Sequence, residues 1–97
     1  MRRKPLPRYE IWIGEEHKEH TILEIRAERL GEYVDRGERR SLLYRVYRKA
    51  DGKILVHVYD RADVPGEIDR ASLFEYASLD EAAQRGFRPV LRRVNLI

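Results

Sequence analysis

A chain of 97 residues that is 42% hydrophobic, 38% charged and free of cysteine has room for one hydrophobic core and is too apolar to stay disordered throughout. At this size a fold buries roughly 60–65% of its unfolded surface, so one sheet carrying a helix or two is near the limit and most large cofactor-binding folds are excluded. A net charge of +3 is mild for a dedicated nucleic-acid binder, and without cysteine no disulfide, thiol nucleophile or thiolate zinc site can form.

The opening segment, Met1-Arg2-Arg3-Lys4-Pro5-Leu6-Pro7-Arg8, is basic but lacks the apolar run of a signal peptide, and no stretch approaches a membrane span. The expected organisation is a basic, freely moving segment over residues 1–8 and a single α+β domain over 9–97, in a cytoplasmic protein. The small net charge conceals alternating blocks. Residues 1–9, 36–49 and 85–97 carry +4, +5 and +4, whereas 10–35, 50–69 and 70–84 carry −5, −3 and −2. The basic blocks could merge into one face or neutralise the acidic ones between them. Sixteen of the twenty cations are Arg, the side chain suited to bidentate contacts with carboxylate or phosphate.

In chain order, Tyr9, Ile11 and Ile13 alternate as in a strand. Gly14-Glu15-Glu16-His17-Lys18-Glu19-His20 reads as a charged loop. Over residues 21–30, Leu23, Ile25 and Ala27 alternate with Glu24, Arg26 and Glu28, which predicts a strand with one wet face. Gly31 and Asp35-Arg36-Gly37-Glu38 punctuate the passage to the next element. A hairpin follows, with strands over 41–49 and 53–60 joined by Ala50-Asp51-Gly52. A three-residue loop with Gly52 in a left-handed bulge pairs Val46 with Val56, Tyr44 with Val58 and Arg48 with Ile54, giving one mostly apolar face. A two-residue loop would mix the faces, so the apolar pattern selects the bulged turn.

Val64-Pro65-Gly66 marks a turn, and residues 71–77 read as a strand with Phe74 and Tyr76 on one side and Leu73 on the other. Ser78-Leu79-Asp80-Glu81 is a capping box that starts a short helix, with Leu79, Ala82 and Ala83 as its apolar stripe and Gly86 placed to end it. For the tail, Pro89 with Val90, Leu91 and Val94 favours a second short helix, although Val90-Arg92-Val94-Leu96 also alternates as a strand would. The predicted fold is a small, meander-like antiparallel sheet of four or five strands with one or two short C-terminal helices. The run from Gly52 through Val64-Pro65-Gly66 to Ser78-Leu79-Asp80-Glu81-Ala82-Ala83, about a third of the chain, resembles the hairpin, Pro-Gly turn, strand and capped helix of HicB-type antitoxins. The helix here is shorter, and that family's DNA-binding extension is not evident. The resemblance implies a small sheet that docks on a partner.

Catalytic patterns are sparse. His17 and His20, flanked by Glu15, Glu16 and Glu19, have metal-ligating side chains, but on a flexible loop without the fixed frame a site needs; no metal and no cofactor are expected. His57 falls mid-strand opposite Arg45, where a cation disfavours its charged form. Ser41, Ser72, Ser78 and Thr21 lie in no nucleophile elbow, and the six glycines form no phosphate loop. The protein is therefore expected not to be an enzyme.

The second face of the hairpin is neither clean core nor clean surface. It carries Leu43, Arg45, Tyr47, Leu55, His57 and Tyr59, with Trp12 able to join them, and Tyr, Trp and Arg are types enriched in interface cores. The leading expectation is an accessory or regulatory subunit that docks on another protein through these residues, unless the C-terminal tail folds over them. The alternative is a nucleic-acid binder using Arg36, Arg39, Arg40, Arg45, Arg48 and Lys49 with the basic termini, the aromatic rings stacking on unpaired bases. An unpaired edge strand could also support a homodimer.

Overall fold

The computed structural model describes residues 5–97. Five strands follow one another as β1 (Arg8–Glu15), β2 (His20–Arg36), β3 (Arg40–Lys49), β4 (Ile54–Ala62) and β5 (Arg70–Tyr76). Each pairs antiparallel with the next, and β5 returns to β1 to close a barrel. Two short helical elements, α1 (Leu79–Ala82) and α2 (Arg88–Arg93), complete the small α+β domain. No helix among the described residues is long and apolar enough to cross a membrane. The expected N-terminal segment falls partly on residues 1–4, outside those described. Within it, Pro7 already accepts a bond from the Ala27 N–H at 3.1 Å, and Arg8 opens β1.

The central hairpin adopts the expected register. Val46 faces Val56, Tyr44 faces Val58 and Arg48 faces Ile54, and Gly52 turns the chain at φ +87°. The first face packs Val46, Ile54 and Val56 against Ala82, Ala83, Val90 and Leu91 of the helical segment, with Tyr44, Val58, Tyr76 and Phe87 at its margin. Ser78 Oγ accepts from the Glu81 N–H at 3.1 Å, and Glu81 Oε2 reaches back to the Ala77 N–H. The chain kinks at Gly86, φ +109°, and resumes as α2 with Pro89 in its first turn. Both helical expectations thus hold, and each element survives at about a turn or two because packing on the sheet supplies what so short a helix lacks alone.

The second face has a different fate from the one expected. The tail lies on the first face, and the second is closed by β1 and β2 curling round it. Ile11, Ala27, Tyr47 and Leu55 form a second core with Tyr9, Ile13, Ile25 and Leu73 against it. All five strands contribute, so this cluster is the barrel's interior. Closure also corrects the reading of Gly31 as a break. The strand runs through it to Arg36, with a register shift between Arg29 and Gly31. That bulge turns Ala27 into the barrel while placing Leu30 against the helix-side core. A Cβ on Gly31 would lie 2.7 Å from the Val94 Cβ, so glycine here admits the end of the tail.

Candidate functional site

The seam between β1 and β5 rests on few contacts. Gly14 pairs with Ala71 and Glu15 with Arg70, and the Glu16 N–H donates to the Asp69 carbonyl at 2.9 Å. Asp69 returns the bond through its own N–H to Glu16 Oε2 at 3.1 Å. This lock brings the acidic turn after β1 beside the loop before β5. Between them opens a cleft of about 500 Å³ lined by Trp12, Glu16, His17, His20, Tyr59 and Asp69.

Trp12 forms the middle of the cleft's aromatic wall. Its ring centroid is 5.7 Å from that of Tyr59 and 5.8 Å from that of His20, at inclinations of 54° and 39°. The β1–β2 register places Gly14 opposite His20 and Trp12 opposite Ile22, so alternation puts Trp12 and His20 on one side of that hairpin. The carboxylates are held in place. Tyr59 donates its hydroxyl to Asp69 Oδ2 at 2.6 Å, and the Ala62 N–H donates to Asp69 Oδ1 at 2.8 Å. Burial and then the bond to Asp69 push the Tyr59 phenol up to about 12, so it stays protonated and keeps donating. A raised folded pKa contributes stability that is complete below the unfolded value near 10 and is lost as pH rises through about 12. Ultraviolet titration of the wild type against Tyr59→Phe is expected to show the missing tyrosinate signal near pH 12; a difference centred near 10 would contradict the bond.

An adjoining groove of about 170 Å³ is lined by Val34, Arg36, Ser41, Leu43, Tyr59 and Arg61. Tyr59 belongs to both, so the two form one surface with an acidic aromatic end and a basic apolar end.

The six residues expected to form the docking face divide accordingly. Tyr47, Leu55 and His57 are 1%, 3% and 3% exposed inside the barrel, whereas Leu43 and Tyr59 line the grooves and Arg45 pairs with Glu32 at 3.2 Å. Sequence reasoning did not find Asp69; nothing in the loop after Pro65-Gly66 marks it, because its carboxylate is placed by Tyr59 and Ala62 of β4 and it comes beside Glu16 only once β5 meets β1. Glu16, His17 and His20 were singled out as metal-ligating types. No group of three or more His, Asp or Glu among the described residues is placed to hold a metal. The histidines serve as cleft lining.

The expected nucleic-acid track is largely committed to carboxylates. Arg39 and Arg40 hold Glu67 at 2.6 and 3.2 Å, Arg40 also holds Asp60 at 2.6 Å, and Lys49 holds Glu75 at 3.0 Å. With Arg45 on Glu32, four of the six cations have acidic partners, and no ion pair involves Arg36 or Arg48 among the described residues.

His57 is a buried base with a defined tautomer. Its Nε2 lies 2.9 Å from the Trp12 carbonyl, which can only accept, so Nε2 carries the hydrogen and Nδ1 is a bare acceptor. Nδ1 is buried without a partner among the described residues. Burial, aided by Arg45 and opposed by the bond to Trp12, lowers the pKa below 6.5. The folded state then binds fewer protons than the unfolded state as pH falls below about 6.5, so stability must fall with it, by up to about 1.4 kcal/mol per pH unit until the folded pKa is reached. Chemical denaturation at a series of pH values is expected to show this slope in the wild type and its loss in His57→Gln; equal slopes would contradict it.

No known protein family, characterised protein or solved structure matches this chain in comparisons of sequence and fold.

Proposed function

We propose that the protein is a non-catalytic docking module that holds a segment of a partner protein, basic where it enters, in the cleft between Trp12 and Tyr59. The observation that carries this reading is the joining of the chain's sole tryptophan and Tyr59 to two backbone-anchored carboxylates at a concave site. Rigid aromatic rings beside anchored polar groups supply large contact area at small entropy cost, the usual makeup of interface hot spots. The charge lining the cleft selects the partner: its acids are Glu16 and Asp69. The apolar groove beyond Tyr59 extends the contact to Val34 and Leu43. Nucleic acid is disfavoured by the same acids, which would repel a phosphate backbone, and by the ion pairs that occupy Arg39, Arg40, Arg45 and Lys49.

The single tryptophan makes the test direct, because its emission reports on the cleft alone. Selection of displayed random peptides on the folded chain is expected to yield binders that shift Trp12 emission and lose affinity with Tyr59→Ala. Shifts produced by single-stranded oligonucleotides and by no peptide, with affinity falling steeply as salt rises, would overturn the reading.

A further inference from the structure

The cleft's two kinds of wall are matched to one side chain in particular. Trp12 and Tyr59 present connected ring surfaces, with the His20 ring beside Trp12, and the indole and phenol faces attract a cation through the ring quadrupole, most strongly when its hydration shell is weak. The carboxylates that line the same cleft are oriented in advance. Glu16 is fixed by the Asp69 N–H, and Asp69 by the Ala62 N–H and the Tyr59 hydroxyl. An ionised carboxylate offers about four acceptor positions, so each retains capacity for further donors. Glu15 is engaged by Lys18 at 3.0 Å and does not line the cleft; of the two acids that do, Glu16 has only the longer contact of 3.7 Å from its Oε1 to His17 Nε2, a partner that an arriving guanidinium can displace, and Asp69 has no ion-pair partner among the described residues.

We infer that this cleft receives the guanidinium of an arginine carried by the partner segment, stacked on Trp12 and hydrogen-bonded to Glu16 and Asp69. The inference rests on the docking reading above and specifies its anchor. Guanidinium is planar, so it can lie on a ring face while its edge donates to carboxylate oxygens; it also sheds water more readily than an ammonium. Lysine could satisfy the acids but has no plane to stack. The groove beyond Tyr59 orients the segment, because its Val34 and Leu43 suit an apolar neighbour of the arginine and Arg36 there repels a second cation, while Arg61 is held by Asp63 at 3.1 Å.

The probes are three capped peptides, acetyl-Gly-Ser-Xaa-Ser-Gly-amide, with arginine, lysine or citrulline at Xaa; citrulline keeps the shape of arginine without its charge. Trp12 emission is expected to show the arginine peptide binding about tenfold or more tightly than the citrulline peptide, and more tightly than the lysine peptide. Glu16→Gln, which preserves an oxygen acceptor for the Asp69 N–H, is expected to shrink the arginine-to-citrulline ratio, while Glu10→Gln on the exposed part of β1 leaves it unchanged. Equal or tighter binding of the lysine or citrulline peptide overturns the inference, as does an undiminished ratio in Glu16→Gln. If displayed peptides still shift Trp12 emission under those results, the docking reading stands without its arginine anchor; if none does, both fall. A change of sedimentation coefficient on Trp12→Ala in a chain that remains folded would place a second copy in the cleft and also overturn it.

Discussion

Tyr47→Ala is expected to lower the unfolding free energy by about 3–5 kcal/mol, enough to leave a domain of this size close to unfolded. The side chain is 1% exposed, its ring centroid lies 5.1 Å from that of Tyr9 at an inclination of 56°, and it fills the barrel among Ile11, Ala27 and Leu55. Alanine would leave a cavity that strands tied to one another on both sides cannot collapse to fill. Tyr47→Phe keeps the ring and is expected to cost less than about 1.5 kcal/mol. The pair of variants discriminates between two roles for this face. On an open docking surface Tyr47→Ala would change stability by no more than about 0.5 kcal/mol and act on binding instead. Urea denaturation of both variants measures the difference, and a small effect of Tyr47→Ala would contradict a closed barrel interior.

Gly31→Ala is the second large effect, expected at about 1–3 kcal/mol of destabilisation. In an ordinary strand interior the exchange of glycine for alanine gains stability, because the glycine backbone has more freedom to lose on folding. Here the new methyl would meet Val94 Cβ at 2.7 Å and both γ-carbons at 3.1 Å. Val94 lies just past α2 and is held there by its N–H on the Val90 carbonyl, so relief requires moving the tail off the first core. In a Val94→Ala background the same substitution is expected to become neutral or stabilising, a coupling of about 0.5–3 kcal/mol. An unchanged penalty in that background would show that Gly31 serves some purpose other than close approach.

These two positions also explain how far the sequence was legible. The hairpin register could be read because only one alignment gathers Tyr44, Val46, Ile54, Val56 and Val58 on a single face, and the structure has that alignment. The capping box at Ser78 and the left-handed residue at Gly86 are local signals, and both hold. Gly31 misled because a glycine in a strand pattern marks a bulge as readily as an end, and what separates the two outcomes is Val94, 63 positions away. Barrel closure was illegible for the same reason. It depends on a few pairs between β1 and β5, and no pattern within either strand announces a partner so distant. The mixed aromatic and polar face of the hairpin was recognised as unusual, but its division was not: Tyr47, Leu55 and His57 complete an interior, while Tyr59 remains at the rim with Trp12. Glu16 acquires its position from the seam and Asp69 from bonds to Tyr59 and Ala62 across the β4–β5 loop, so the acidic half of the cleft had no signature in advance.

The fold and the proposed function therefore meet at the seam. The seam bond from the Asp69 N–H that helps close the barrel also fixes the Glu16 carboxylate, while the Ala62 N–H and the Tyr59 hydroxyl fix that of Asp69, and such preorganisation before any ligand arrives reduces the entropy lost on binding. Amide chemical-shift mapping on addition of the arginine peptide tests this account most directly. Shifts concentrated at Trp12, Glu16, Tyr59 and Asp69 are the predicted result. Shifts confined to the helix-side groove of Tyr33, Tyr44 and Phe87, or spread along residues 36–49, would contradict it.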